Sequence, residues 1–201
     1  MTVRSGRRGD GPGGNILAGM LLLARGRARG LAAFGDTSQA FLASLAPLIA
    51  FPLVEAGLLL MQGNARAAAA GFLQTLCTLL MPPVVSQFLA WLWGREAGWL
   101  RYATALNWAQ WVVPLALALL LPGMALALHG GVPPQIAFSI GLILVAGYGL
   151  WLQWFLARHG LGLSRSRAAL LVLVVGIATA AVTFGPTWLA GGGMPALTVP
   201  A

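Results

Sequence analysis

Five times between Gln39 and Leu189 the chain runs for twenty or more residues with hardly a charge. A helix rising about 1.5 Å per residue needs roughly 20 apolar residues to cross a hydrocarbon core about 30 Å thick. Each run is long enough to do so. In lipid every backbone N–H and C=O has to be satisfied inside the protein, so such runs fold as helices. The spans read from the sequence are 39–61, 67–93, 102–121, 135–157 and 168–189. The connections carry turn chemistry: "QGNAR", "GREAGWLR", "PGMALALHGGVPP" and "RHGLGLSRSR". The expected fold class is all-α, a polytopic membrane helix bundle with five transmembrane helices.

Composition argues the same way. Only 8% of the residues are charged, against about 25% in soluble domains, too few to clothe a water-facing surface. All 12 basic residues are arginine, and they flank the apolar runs. Anionic lipid headgroups are therefore the expected partner, and nucleic acid is not. Eleven arginines fall before the first span or in the second and fourth connections, and Arg66 alone falls on the other side. The positive-inside rule then predicts a cytoplasmic N-terminus and an external C-terminus. Richness in Ala, Gly, Leu and Arg suggests a GC-rich bacterial genome, which makes the bacterial inner membrane the expected location. Seven tryptophans (Trp91, Trp93, Trp99, Trp108, Trp111, Trp151 and Trp154) lie toward the cytoplasmic ends of spans, where indoles anchor at headgroup level.

Residues 1–38 read as a basic cytoplasmic segment. Within it Ile16, Leu17, Met20, Leu21 and Leu23 recur at near-helical spacing, followed by Arg25, Arg27 and Arg29. This pattern predicts an amphipathic helix lying in the interface, its arginines on lipid headgroups. The same arginines stand where a signal-peptide cleavage site would need small residues, so no cleavage is expected. Asp36, Thr37 or Ser38 is placed to cap the first span. The first dozen residues and the external tail 190–201 are expected to be flexible.

Prolines punctuate the spans at Pro47, Pro52, Pro82, Pro83 and Pro114. Each removes a helical hydrogen bond and crowds the carbonyl four residues earlier. The Pro82–Pro83 pair predicts the clearest kink. Small residues four apart, Ala137 with Gly141, Gly176 with Ala180 and Ala181 with Gly185, would permit close helix approach.

One carboxylate, Glu55, stands well inside a span, and an intramembrane acid is a functional candidate by default. It sits about 24 Å beyond Gln39 along the helix, in the outer third of the bilayer. Gln74, Thr75, Thr78, Ser139, Thr179 and Thr183 share that depth, and Gln74 or Thr183 is the expected hydrogen-bond partner. Arg66 lies about three turns further along the same face. A second polar set, Ser86, Gln87, Asn107, Gln110 and Gln153, lies nearer the cytoplasmic face. In "NWAQW", Asn107 and Gln110 share one helical face, expected inward, and the indoles the other. Such amides hold membrane bundles together.

Catalytic constellations are missing from the sequence: no H-E-x-x-H, no G-x-S-x-G, no P-loop. His129 and His159 are expected on opposite faces of the membrane and cannot share a metal. The single cysteine, Cys77, is expected to be a small buried residue. No metal or cofactor is expected, and the chain is not read as an enzyme.

The stretch "AFGDTSQAFLASLAPLIAFPL" at the entry to the first span and "YATALNWAQWV" at the start of the third resemble the corresponding segments of bacterial Yip1-like membrane proteins. So does the layout of five spans, a basic N-terminus and a short external C-terminus. The resemblance covers about residues 31 to 189. The D-L-x-G-P signature of eukaryotic members is missing, so their link to small GTPases and vesicle traffic is not carried over. The resemblance implies a topology, but no activity and no site residue. The function expected is that of a non-enzymatic accessory or scaffold subunit, working through contact with a membrane-protein partner, a second copy or lipid. The alternative is a small transporter or channel using Glu55.

Overall fold

The computed structural model describes residues 15–189. The arginine-rich start and the tail 190–201, both expected to be flexible, lie outside the described residues. Those described form seven α-helices and two 3-10 turns, without a strand. The helices are α1 (Ile16–Ala24), α2 (Ser38–Met61), α3 (Ala65–Leu92), α4 (Trp99–Ala109), α5 (Val112–His129), α6 (Pro134–Gly160) and α7 (Arg165–Leu189). The turns are Ala28–Ala33 and Glu96–Gly98. Five helical stretches are long and apolar enough to cross a membrane: Ser38–Met61, Ala65–Leu92, Glu96–His129, Pro134–Gly160 and Arg165–Pro186.

Local sequence sets the helix ends. Thr37, extended at φ −104°, accepts the Ala40 N–H at 3.1 Å and starts α2. That leaves Asp36 free to pair with Arg101 at 2.6 Å. Asn64 caps α3 through the Ala67 N–H. At the far end of α2, Gly63 takes φ 77°, where a Cβ would be strained. The chain can then fold back so that the Asn64 N–H reaches the Leu59 carbonyl at 3.0 Å. A left-handed glycine closes α3 in the same way at Gly94, where Arg95 N–H meets the Ala90 carbonyl.

The third span meets one expectation, an interruption at Pro114, and departs from another. It breaks at Gln110–Trp111, dividing α4 from α5. Pro114 has no N–H to offer the Gln110 carbonyl, and that carbonyl accepts instead from Val113 at 3.3 Å. Trp111 N–H likewise turns to Trp108, three residues back. Helix α3, by contrast, runs unbroken through Pro82–Pro83. Its neighbours α2 and α7 hold it on both sides. The departure is at "PGMALALH", which is not a connection. Helix α5 runs through Pro122 to His129, so His129 ends a helix and the turn is only Gly130–Pro133. The apolar run after Gly123 continues the helix, and Met124 packs over Gly141.

Packing is concentrated at one end. Helices α2, α3, α7, α6 and α5 follow one another side by side, and α4 fills the middle, touching α2, α3 and α6. Most of α4 is buried, including Trp99, Tyr102, Leu106 and Asn107, whereas α5 buries only Val112. The core joins α4 to Leu23 of α1, Leu89 of α3, Phe155 and Leu156 of α6 and Leu171 of α7. All belong to the end carrying Arg95, Arg101, Arg158, Arg165 and Arg167, called here the arginine end. Over the most apolar stretch of each span, only 6–22% of residues are buried.

The N-terminal segment closes this end. Met20, Leu23, Leu31 and Phe34 are buried, while Leu17 and Leu21 stay open. One face of the expected interfacial helix thus meets protein and the other remains apolar and exposed. Tyr148 donates to the Ala24 carbonyl at 2.9 Å. Gly19 and Gly30 let α1 and the following turn touch backbone to backbone: a Cβ on Gly30 would stand 2.7 Å from the Gly19 oxygen. Arg25, Arg27 and Arg29 are exposed beside this contact. Gly30→Leu should push the two apart at a cost of about 1–3 kcal/mol. Trypsin should then cut at Arg25–Arg29 roughly tenfold faster or more, read by mass spectrometry of timed digests. Unchanged cleavage would show that the glycine contact does not hold the segment.

Candidate functional site

Polar side chains inside the bundle fall into three groups. The first is a knot at the arginine end. The Ser86 hydroxyl donates to the Pro83 carbonyl at 3.1 Å and accepts the Trp99 indole N–H at 3.1 Å. The buried Tyr102 phenol lies beside Ser86. Trp99 is therefore a core residue joining α3 to α4, not an interfacial anchor. Trp111 departs from that expectation too: its indole N–H is buried without a partner, and its ring packs against Phe51 at 5.4 Å. Trp93 and Trp154 fit it better, lying beneath Arg167 and Arg158 at 5.9 and 5.5 Å.

The second group joins α2 to α4. Asn107 donates to Ser44 at 2.9 Å, and Ser44 donates to the Phe41 carbonyl at 2.6 Å. Both side chains are fully buried, and Asn107 Oδ1 has no partner. Asn107 and Gln110 both point into the bundle, as expected, but toward different partners: Asn107 meets α2, and Gln110 lines a space bounded by α3, α6 and α7.

The third group lines a cavity of about 540 Å³ among α3, α4, α6 and α7. Its polar lining is Thr75 and Thr78 of α3, Gln110 at the break, Gln153 of α6, and Thr179 and Thr183 of α7. Two sets read from the sequence as separate layers thus meet in one space. Thr78 and Thr183 hydroxyls are 3.4 Å apart. Thr179 Oγ1 is buried with no partner, and the Gln110 and Gln153 amides make no hydrogen bond among the described residues. Pro82, in the wall, withholds the N–H that would serve the Thr78 carbonyl. The cavity exists because α5 turns aside after the break and leaves α4 alone at the centre.

Gln74 and Thr183 do meet, but not around Glu55. The Gln74 amide donates to the Val182 and Thr183 carbonyls. Val182 is the residue whose carbonyl Pro186 leaves without its helical donor. Pro186 lies inside α7 and went unread in the sequence. A glutamine facing the position four before a proline was the signal that could have found this bond.

Glu55 stands on the open face of α2 with Phe51, Leu53, Val54 and Leu58, all exposed. It makes no ion pair or hydrogen bond among the described residues, with Arg66 or otherwise. The expected partners are on the far side of α3. Gln87 is also apart, lining a shallow recess at the arginine end with Trp91 and Glu96. Ser139 is exposed. Cys77, expected to be buried, is exposed as well. His159 is engaged within its own helix, its Nδ1 2.9 Å from the Phe155 carbonyl. Among the described residues no cluster of His, Cys, Asp and Glu could hold a metal ion.

Of the small-residue pairs, Ala137 and Gly141 are buried, and Gly141 lies under Met124. A Cβ on Gly176 or Gly185 would meet nothing within 4 Å, so these two glycines do not mark close helix contacts.

Comparison with known proteins adds no relative: no protein-family model matches the chain, and no curated protein or solved structure matches it significantly.

Ser86 bears the densest polar load. Ser86→Ala should strand the Trp99 N–H in the core, costing about 1–3 kcal/mol. A lower midpoint in denaturant, followed by tryptophan fluorescence, checks this; an unchanged midpoint would mean that the knot adds nothing to stability.

Proposed function

We propose that this chain is a non-enzymatic, multi-pass protein of the bacterial inner membrane that works by contact with other membrane components, as an accessory or scaffold subunit. The observation that carries this reading is the position of Glu55. A carboxylate facing hydrocarbon is costly, by about 2.5–3.5 kcal/mol for an acid at a span centre on insertion scales and less toward the interface. Among the described residues nothing relieves that cost. A neighbour seated against α2, whether another membrane protein or a second copy, would remove the carboxylate from lipid and give it a hydrogen-bond donor.

The same position weighs against a carrier built within a single chain. Such a carrier would aim its carboxylate into the polar cavity, and Glu55 is not among the residues that line it. A pore formed between copies at the α2 face is the form in which the transport reading survives. Mild-detergent purification of the tagged full chain separates the two. A stable partner or homo-oligomer that Glu55→Gln loosens several-fold supports the contact reading. A monomer that gives Glu55-dependent ion or solute flux in vesicles would sink it.

The arrangement of arginines supports a cytoplasmic N-terminus and an external C-terminus, the layout that the resemblance to Yip1-like proteins also implies. The arginine end, with its docked basic segment, then faces the cytoplasm and its anionic headgroups. A phosphatase reporter fused after residue 201 should be active, and one fused in the turn between α3 and α4 inactive. The reverse pattern would overturn the threading.

A further inference from the structure

The cavity, apolar apart from its six hydroxyl and amide side chains, has a still more apolar neighbour. Beside it, on the outer face of α6 and α7, lies a groove of about 720 Å³ whose lining includes Trp151, Trp154, Leu173 and Ile177. Cavity and groove share Leu150, Gly176 and Ala180 in their walls. Two of these three bear a single side-chain carbon or none. A Cβ on Gly176 would meet no atom of another helix within 4 Å. A glycine–alanine step that reads in sequence as a helix-packing motif is instead open and exposed where the two spaces adjoin.

We propose that cavity and groove together form a binding site for one neutral amphiphile, a lipid alcohol or ester with an uncharged head. This site is independent of the Glu55 face. The cavity's polar lining consists of hydroxyls and amides, and neither space is lined by a charged side chain. An anionic or cationic headgroup would enter without a counter-charge, at a cost that nothing here offsets. A neutral head bearing a hydroxyl and a carbonyl matches what is offered. The Gln110 and Gln153 amides both donate and accept, the Thr179 hydroxyl is buried and unpaired, and the Thr78 carbonyl lacks its helical donor. Groups of this kind inside a membrane stay unsatisfied unless water or a ligand reaches them. The head's tail, alkyl or isoprenoid, leaves past Gly176 into the groove, where Leu173 and Ile177 meet it and the indoles of Trp151 and Trp154 cover its end nearest the arginines. The cavity volume is within the ordinary range for small-molecule sites.

The test uses the full chain in mild detergent, native mass spectrometry as readout, and dioleoylglycerol as probe against dioleoylphosphatidylglycerol. One dioleoylglycerol should be retained per chain, with about tenfold preference over the anionic lipid, the size of effect expected for one buried uncompensated group. Gly176→Phe should abolish retention by filling that open step. Gln153→Leu and Thr179→Val, which leave it open, should weaken retention several-fold. Gly185→Phe, on the same helix and equally free of neighbours, should leave it unchanged. Equal retention of the two lipids would overturn the proposal, because the site would then read only bulk lipid. So would retention indifferent to both Gly176→Phe and Gln153→Leu, which would assign the cavity to water alone.

Discussion

Burial of α4 at the centre of the arginine end is the constraint on which the rest of the structure depends. Eleven residues, Trp99–Ala109, touch α1, α2, α3 and α6. Apolar packing alone distinguishes poorly between helix neighbours in lipid, because lipid tails are as apolar as leucine. The polar contacts of α4 supply the discrimination. Trp99 reaches Ser86 on α3, and Asn107 reaches Ser44 on α2. Each of these bonds fixes rotation and depth as well as proximity. Once α4 is fixed, Pro114 sets the path of the chain beyond it. The helix breaks, α5 leaves along α6, and the opposite half of the bundle is left with room at its centre.

The order of the spans was legible because lipid imposes so few choices. Length and apolarity alone placed five helices, and most of their ends fall within three residues of the expected positions. The misplaced end of the third span has a physical cause. Pro122 and Gly123 punctuate helices in water, where an interrupted backbone group can turn to solvent. Beside α6 in an apolar run there is no such outlet, and the helix continues to His129. A proline alone does not decide whether a span breaks: α2, α3, α5 and α7 all run through theirs, and the third span breaks only beside Pro114.

The candidate site was legible only in parts. Sorting polar residues by depth singled out Thr75, Thr78, Gln110, Gln153, Thr179 and Thr183. Depth fixes position along the membrane normal but says nothing about azimuth. Gln110 and Asn107, three residues apart, therefore face different partners, and Glu55 lies at the depth of Gln74 without reaching it. Azimuth could have been sought in the prolines, each of which marks a carbonyl that needs a donor. Gly176 escaped the reading for a related reason. The absence of a side chain permits close packing and equally permits an opening, and only the neighbours decide which.

The bond between Gln74 and the Val182 carbonyl ties two positions more than a hundred residues apart in sequence. Proline at 186 creates the vacancy, and glutamine at 74 fills it. Neither residue is favourable alone: the proline would leave a bare carbonyl in the bilayer, and the glutamine a bare amide. The two are therefore a single unit of inheritance. A lineage that lost the proline would come under pressure to replace the glutamine with an apolar residue, and the order of the two changes would matter. Paired change at these two columns, with mixed states rare, is the imprint this contact would leave in the chain's descendants.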